Sequence, residues 1–196
     1  MSMFAFEPNA NCAAPETRAS LLVDPGFGRV FTDHMAVIRY KAGIGWHDAR
    51  VVARAPIPMD PASAVLHYAQ EIFEGMKAYR HPDGAMALFR PDANARRFNR
   101  SATRLAMPEL PEELFIGSVE ALLRADAGWM PDIAGGSIYL RPFMFASEVF
   151  LGVKPSSEYL YLVIASPSGA YWKGGARAIS IWVSDQYTRA APGGTG

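Results

Sequence analysis

The run Tyr159–Ala165 reads Tyr-Leu-Tyr-Leu-Val-Ile-Ala, with no charged residue on either side of a two-residue period. A strand of that composition belongs inside a sheet that is covered on both faces. The rest of the chain therefore has to supply the cover. Ser137–Ala146 is a second strand rich in aromatic and branched residues. A helix is expected from near Asp92, where Ala95, Phe98, Ala102 and Leu105 recur at spacings of three and four. Arg96, Arg97, Arg100 and Arg104 are mostly its solvated side. A second helix starts at Pro111, with Glu112 and Glu113 in the first turn and Leu114, Phe115, Val119, Leu122 and Leu123 on its apolar face.

Two hairpins complete the pattern. His34–Tyr40 and Arg50–Ala55 flank Gly43-Ile44-Gly45, and Phe73–Arg80 and Ala85–Arg90 flank His81-Pro82-Asp83-Gly84, in which Pro and Gly favour a turn. Asp60-Pro61-Ala62-Ser63 is a turn or a helix start. Residues 1–26 carry Pro8, Pro15 and Pro25 and read as an irregular arm, Lys173–Arg177 as a flexible connection and Ala178–Ser184 as a further strand. The fold class that follows is α+β. No periodic element follows the Gly-rich stretch 191–196, which gives the expectation of a piece of a longer protein.

Composition narrows the function. Nineteen Lys+Arg balance nineteen Asp+Glu among 196 residues, so a strongly basic nucleic-acid binder is disfavoured. No apolar run approaches the ~20 residues of a spanning helix, and Met1–Asn11 lacks the marks of a secretory signal, so a cytoplasmic chain without membrane or nucleic-acid partners is expected. The single cysteine, Cys12, excludes an internal disulfide, and His34, His47, His67 and His81 lack metal-ligand spacing, so no metal is expected.

Arg141 stands in an otherwise apolar strand, on the same side as Tyr139 and Phe143. A guanidinium there needs an anion. Two readings stay open: a structural ion pair, or a carboxylate-bearing ligand that Tyr139 helps to hold. Arg90 ends a strand just before Pro91-Asp92 open a helix. It reads as an exposed arginine, with phosphate binding at the helix start as the alternative. Tyr68, Phe73 and Tyr171 could wall a small pocket or simply pack. Lys77 is the strand lysine best placed for carbonyl chemistry, against a surface role.

Taken together, Leu66-His67-Tyr68-Ala69-Gln70-Glu71-Ile72-Phe73-Glu74-Gly75-Met76-Lys77-Ala78-Tyr79-Arg80, Phe89-Arg90-Pro91, Tyr139-Leu140-Arg141-Pro142 and Ser168-Gly169-Ala170-Tyr171 resemble the branched-chain amino-acid aminotransferases. These are fold-type IV enzymes that use pyridoxal 5'-phosphate (PLP). Thr32-Asp33-His34-Met35 and the stretch from Arg189 to Gly196 agree, so the likeness runs from about Phe27 to the last residue.

The resemblance implies that Arg90 holds the PLP phosphate, which displaces the exposed-arginine reading. It implies that Tyr68, Phe73, Gly75 and Tyr171 line the side-chain pocket and that Tyr139 and Arg141 orient the substrate carboxylate. Val153, in the loop Gly152-Val153-Lys154, would reach toward the neighbouring subunit's site, and Lys77 would be non-catalytic. The PLP lysine would lie beyond Gly196, so the catalytic set is empty and the chain as given is expected to be inactive alone.

The implied layout is an arm (1–26), a small domain (27–171), an interdomain loop with the first strand of a large domain (172–188) and the start of that domain (189–196). The implied activity is transamination of leucine, isoleucine and valine with 2-oxoglutarate in a homodimer, the partners being a small amino acid and a 2-oxo acid. A D-amino-acid aminotransferase, an aminodeoxychorismate lyase or a non-catalytic interaction domain are the alternatives.

Overall fold

A computed structural model describes residues 3–172 and 178–186. Its elements are β1 (Ala5–Phe6), α1 (Pro15–Leu22), β2 (His34–Lys41), β3 (Gly45–Ala53), α2 (Ala64–Tyr68), β4 (Glu71–Phe73), β5 (Met76–Arg80), β6 (Met86–Leu88), α3 (Pro91–Arg104), α4 (Glu112–Ala125), a 3-10 turn (Ala127–Trp129), β7 (Ser137–Ala146) and β8 (Glu158–Ser168). All the strands join one sheet in the order β1-β3-β2-β8-β7-β5-β6, with β4 also paired to β7. Every pairing is antiparallel except that of β1 with β3. The fold is α+β, as expected.

The chemistry of β7 and β8 dictates the layers. Ile138, Leu140 and Met144 of β7, with Tyr159, Tyr161 and Val163 of β8, face the main core, which α3 and α4 close with Phe98, Phe115, Val119 and Leu122. The alternate residues Phe145, Leu160 and Leu162, with Val37 of β2, form a second apolar cluster on the other face. β8 is thus buried on both sides, as its composition requires. Tyr161 lies in a cage of Phe98 and Phe115 and hydrogen-bonds the Ser118 hydroxyl at 3.0 Å. Burial pushes its phenol well above the ordinary tyrosine range, the Ser118 contact opposing only part of that.

Several expectations need correction. The arm is not irregular throughout: Ala5 and Phe6 pair with Arg50 and Val51, and α1 has a proline at its first position. Asp33 ties the arm down by accepting Ala13 N–H at 2.9 Å and the Trp129 indole N–H at 2.7 Å. Arg50–Ala55 is shifted, since the strand runs from Gly45 to Ala53. Of the two readings of Asp60-Pro61-Ala62-Ser63, the turn is the one formed: the Asp60 carboxylate accepts Ala62 N–H, and Ser63 precedes α2.

The strand expected over Phe73–Arg80 is broken into β4 and β5. The register does not shift across the break, with Phe73 opposite Phe143 and Met76 opposite Leu140. Glu74 N–H still donates to Pro142 O at 2.8 Å. Pro142 has no N–H to return, so the ladder loses a rung there. Ala178–Ser184 forms no strand: Ile181, Trp182 and Val183 are exposed, and no strand among the described residues pairs with them. Lys173–Arg177 and residues 189–196 lie outside the described residues.

Candidate functional site

Gly75, in the β4–β5 break, lies against the Tyr139 side chain of β7. Two residues apart on β7, Tyr139 and Arg141 point the same way. Arg141 donates to the Tyr139 hydroxyl through Nη2 at 2.7 Å and Nε at 3.2 Å. Its guanidinium lies 4.4 Å from the Phe73 ring centroid, and Phe27 packs edge-on against Tyr139 at 5.0 Å. A cleft of about 200 Å³ opens here, bounded by Phe27, Gly28, Phe31, Tyr139, Arg141 and Ser166. No carboxylate forms an ion pair with Arg141 among the described residues.

Gly75 belongs to this cluster for a steric reason. A Cβ at that position would lie 2.4 Å from the Tyr139 hydroxyl oxygen. Only glycine lets β5 begin where the phenol rests.

Arg90 stands at the start of α3 with φ 49° and ψ 52°, a left-handed conformation that a side chain normally avoids. Pro91 occupies the first helical position, and Phe89, Arg90, Ala93, Asn94 and Arg97 line a cleft of about 160 Å³. Arg90 is exposed at its mouth and makes no ion pair among the described residues. An unpaired guanidinium beside the first N–H groups of a helix of several turns suits a phosphate.

The other expected residues are grouped differently. Tyr68, at the end of α2, donates its hydroxyl to Leu151 O at 2.6 Å and so braces the loop that carries Val153, which is 96% exposed at the tip. Tyr171 is exposed, and its ring packs edge-on against Trp172 at 4.8 Å. Among the described residues, no hydrogen bond or ring contact joins Tyr68, Val153 or Tyr171 to the Phe73–Tyr139–Arg141 cluster. Lys77 lies on β5 opposite Tyr139.

The loop is held from below by Glu148. Its carboxylate accepts Lys154 Nζ at 2.8 and 2.9 Å and Ser157 N–H at 2.5 Å. Burial alone would raise the Glu148 pKa, but Lys154 and Ser157 outweigh it and hold the group at about 2, against 4.5 when unperturbed. A lowered carboxylate pKa stabilises the fold above the unfolded value and ceases to do so as pH falls from 4.5 toward 2. Glu148→Gln should therefore flatten the acid limb of a plot of melting temperature against pH between those values. Parallel acid limbs for wild type and variant would show that the loop is not held this way.

Three residues escape a reading of the sequence alone. Glu74 is buried at 3% exposure and receives Arg97 Nε at 2.6 Å, Arg97 Nη2 at 2.7 Å and Asn94 Nδ2 at 2.9 Å. Arg97 is therefore not simply on the solvated side of α3: its head group is locked to β4–β5. The available signal is weak, an acidic residue between Phe73 and Gly75 in a segment that also carries Glu71 and Lys77.

Among the described residues no group of three His, Cys, Asp or Glu could hold a metal ion, and no helix is long and apolar enough to cross a membrane.

No family model matches the chain. The chain is 56% identical over 191 residues to a probable branched-chain-amino-acid aminotransferase of Streptomyces coelicolor, a match covering 97% of this chain and 53% of that protein. It is 55% identical over 187 residues to a branched-chain-amino-acid aminotransferase of Mycobacterium tuberculosis, covering 95% and 51%. It is 46% identical over 172 residues to branched-chain-amino-acid transaminase 1 of Bacillus subtilis, covering 87% and 48%. The chain thus spans about half the length of the curated relatives it matches.

Among solved structures, it resembles a branched-chain aminotransferase of Thermoproteus uzoniensis determined with norvaline (TM-score 0.55, 25% identity, 71% of this chain and 43% of that one). It also resembles a T.th. branched-chain amino acid aminotransferase with pyridoxamine 5'-phosphate (TM-score 0.51, 28% identity, 72% and 43%). The sequence likenesses, over nearly the whole of this chain and about half of each relative, are thus to proteins named branched-chain-amino-acid aminotransferases.

Proposed function

We propose that this chain supplies the phosphate- and carboxylate-binding half of a PLP-dependent aminotransferase that moves the amino group of leucine, isoleucine or valine to 2-oxoglutarate. The observation that supports it most is the Tyr139–Arg141 pair, a guanidinium and a hydroxyl facing a cleft in which no carboxylate among the described residues neutralises them. Arg offers a planar fork that meets a carboxylate through two parallel N–H donors. Phe73 lies against that guanidinium and Gly75 against the phenol, so an apolar wall stands beside the charged end, as an α-amino acid with a hydrocarbon side chain requires.

Arg90 would hold the phosphate of PLP at the start of α3. The residues fit the group, since the guanidinium has no ion-pair partner among the described residues and the left-handed backbone at a non-glycine position marks a site under functional constraint. When bound, the cofactor supplies the electron sink that makes the substrate α-carbon acidic. Selectivity among the three substrates is expected to be small, because one methylene in an apolar pocket is worth only ~1–3 kcal/mol.

The same proposal places residues 27–171 in a small domain, the following residues at its junction with a larger one, and the protein in the cytoplasm as a homodimer. The exposed apolar tip of Leu151 and Val153 supports a second copy nearby. Tyr68 braces that tip and Tyr171 would complete the side-chain pocket.

A polypeptide restricted to residues 1–196 is expected to show no turnover. Lys41 is paired with Glu158 and Lys154 with Glu148, and on the proposed reading the PLP lysine would lie past Gly196. The test follows glutamate formation from 2-oxoglutarate with each of the three amino acids and PLP. The complete protein should turn over and residues 1–196 should not exceed a PLP-only control. A complete protein that ignores all three amino acids would end this reading.

A further inference from the structure

The carboxylate of Glu74 lies between the two proposed binding places and belongs to neither. Burying it requires full pairing, which Arg97 and Asn94 provide. The pairing has a directional effect on its neighbour. Gly75 N–H faces Glu74 Oε2 at 3.4 Å, and Gly75 O faces Asn94 Nδ2 at 3.4 Å. Glu74 and Asn94 thereby clamp the glycine from both ends.

The stretch they clamp is a weak point of the ladder, where Pro142 cannot return a hydrogen bond. Gly75 is also the surface on which the Tyr139 hydroxyl rests, and that hydroxyl receives both N–H groups of Arg141.

We propose that Glu74 is a positioning residue for the Tyr139–Arg141 carboxylate site, acting through Gly75. The inference rests on the function proposed above. Its charge adds a second consequence. Glu74 neutralises Arg97, which lines the cleft beside Arg90. Removing the negative charge leaves that cleft more positive, so an incoming phosphate is not bound more weakly. Loss of Glu74 thus acts on the two binding places in different senses, whereas general loosening of the fold weakens both.

The experiment uses the holoenzyme and Glu74→Gln. PLP affinity is read from an absorbance titration of the apoprotein, and KM and kcat for leucine are measured at saturating PLP. The expected result is a KM for leucine raised about five- to tenfold, in keeping with the steep dependence of such sites on sub-ångström placement, with kcat changed less than about twofold and no rise in the PLP dissociation constant.

A KM equal to wild type overturns the proposal. So does a KM that rises in parallel with the PLP dissociation constant, which is the mark of a merely structural pair. If Glu74→Gln fails to fold, Glu74→Asp keeps the charge, shortens its reach toward Gly75, and should show the same split at about threefold. A wild-type holoenzyme that transaminates leucine while both variants match it sinks the positioning role alone. A wild-type protein that takes no branched-chain amino acid sinks the function reading and this inference with it.

Discussion

Arg90→Ala in the holoenzyme is expected to raise the PLP dissociation constant about ten- to a hundredfold. The residue precedes α3 at φ 49°, ψ 52°, and its guanidinium has no carboxylate partner among the described residues. One charge-assisted contact to a phosphate contributes roughly 1.5–3 kcal/mol, which is the origin of the range. Alanine meets the same left-handed backbone cost as arginine, so the substitution reports on the guanidinium and not on relief of strain. Excess PLP should restore most of the activity. Arg90→Lys should fall between, keeping charge without the fork. An Arg90→Ala protein that binds PLP as tightly as wild type would return the residue to its first reading, an exposed arginine at a strand end.

Arg141→Ala is expected to act on the other ligand. The KM for amino acid should rise about ten- to a hundredfold from the same class of contact, while PLP affinity stays as it was. The local geometry sharpens the expectation. Arg141 is oriented by two bonds to Tyr139 and by the Phe73 face, so a lysine cannot reproduce its direction, and Arg141→Lys should recover little. Tyr139→Phe should give a smaller rise, since it removes an orienting hydroxyl and leaves the charge. Equal KM values for wild type and Arg141→Ala would show that the substrate carboxylate is bound elsewhere.

Much of this arrangement can be read from the chain without coordinates, and the failures have identifiable causes. The strand Ser137–Ala146 has the bounds its composition suggests, with Ile138, Leu140, Met144 and Ala146 in the main core and Phe143 and Phe145 in the second cluster. Period two alone puts Tyr139 beside Arg141, and the hydrogen bond between them follows. The break at Glu74-Gly75 cannot be seen locally, since it depends on a proline in a partner strand far along the sequence.

α1 escapes pattern reading because Pro15–Leu22 buries no residue and so shows no apolar stripe; Asp33 holds the preceding turn instead. Arg97 looks solvated because helical periodicity assigns a face and says nothing of where a long side chain ends. Ala178–Ser184 has the alternation of a strand, but alternation cannot supply a neighbour to pair with.

The middle of the sheet joins parts of the chain that are made at very different times. β2 runs beside β8, with Ala36 opposite Val163 and Tyr40 opposite Tyr159. On a ribosome, the β2–β3 hairpin emerges early and then waits, its inner edge bare, until β8 has been translated. A contact so distant in sequence carries a large loop-closure cost and slows folding. Helices α3 and α4 emerge before β7 and β8 exist, so the sheet they cover still lacks its centre. The nascent chain therefore passes through a long interval in which hydrophobic surface and an unpaired edge are presented together, the condition under which chaperone capture or aggregation competes with folding.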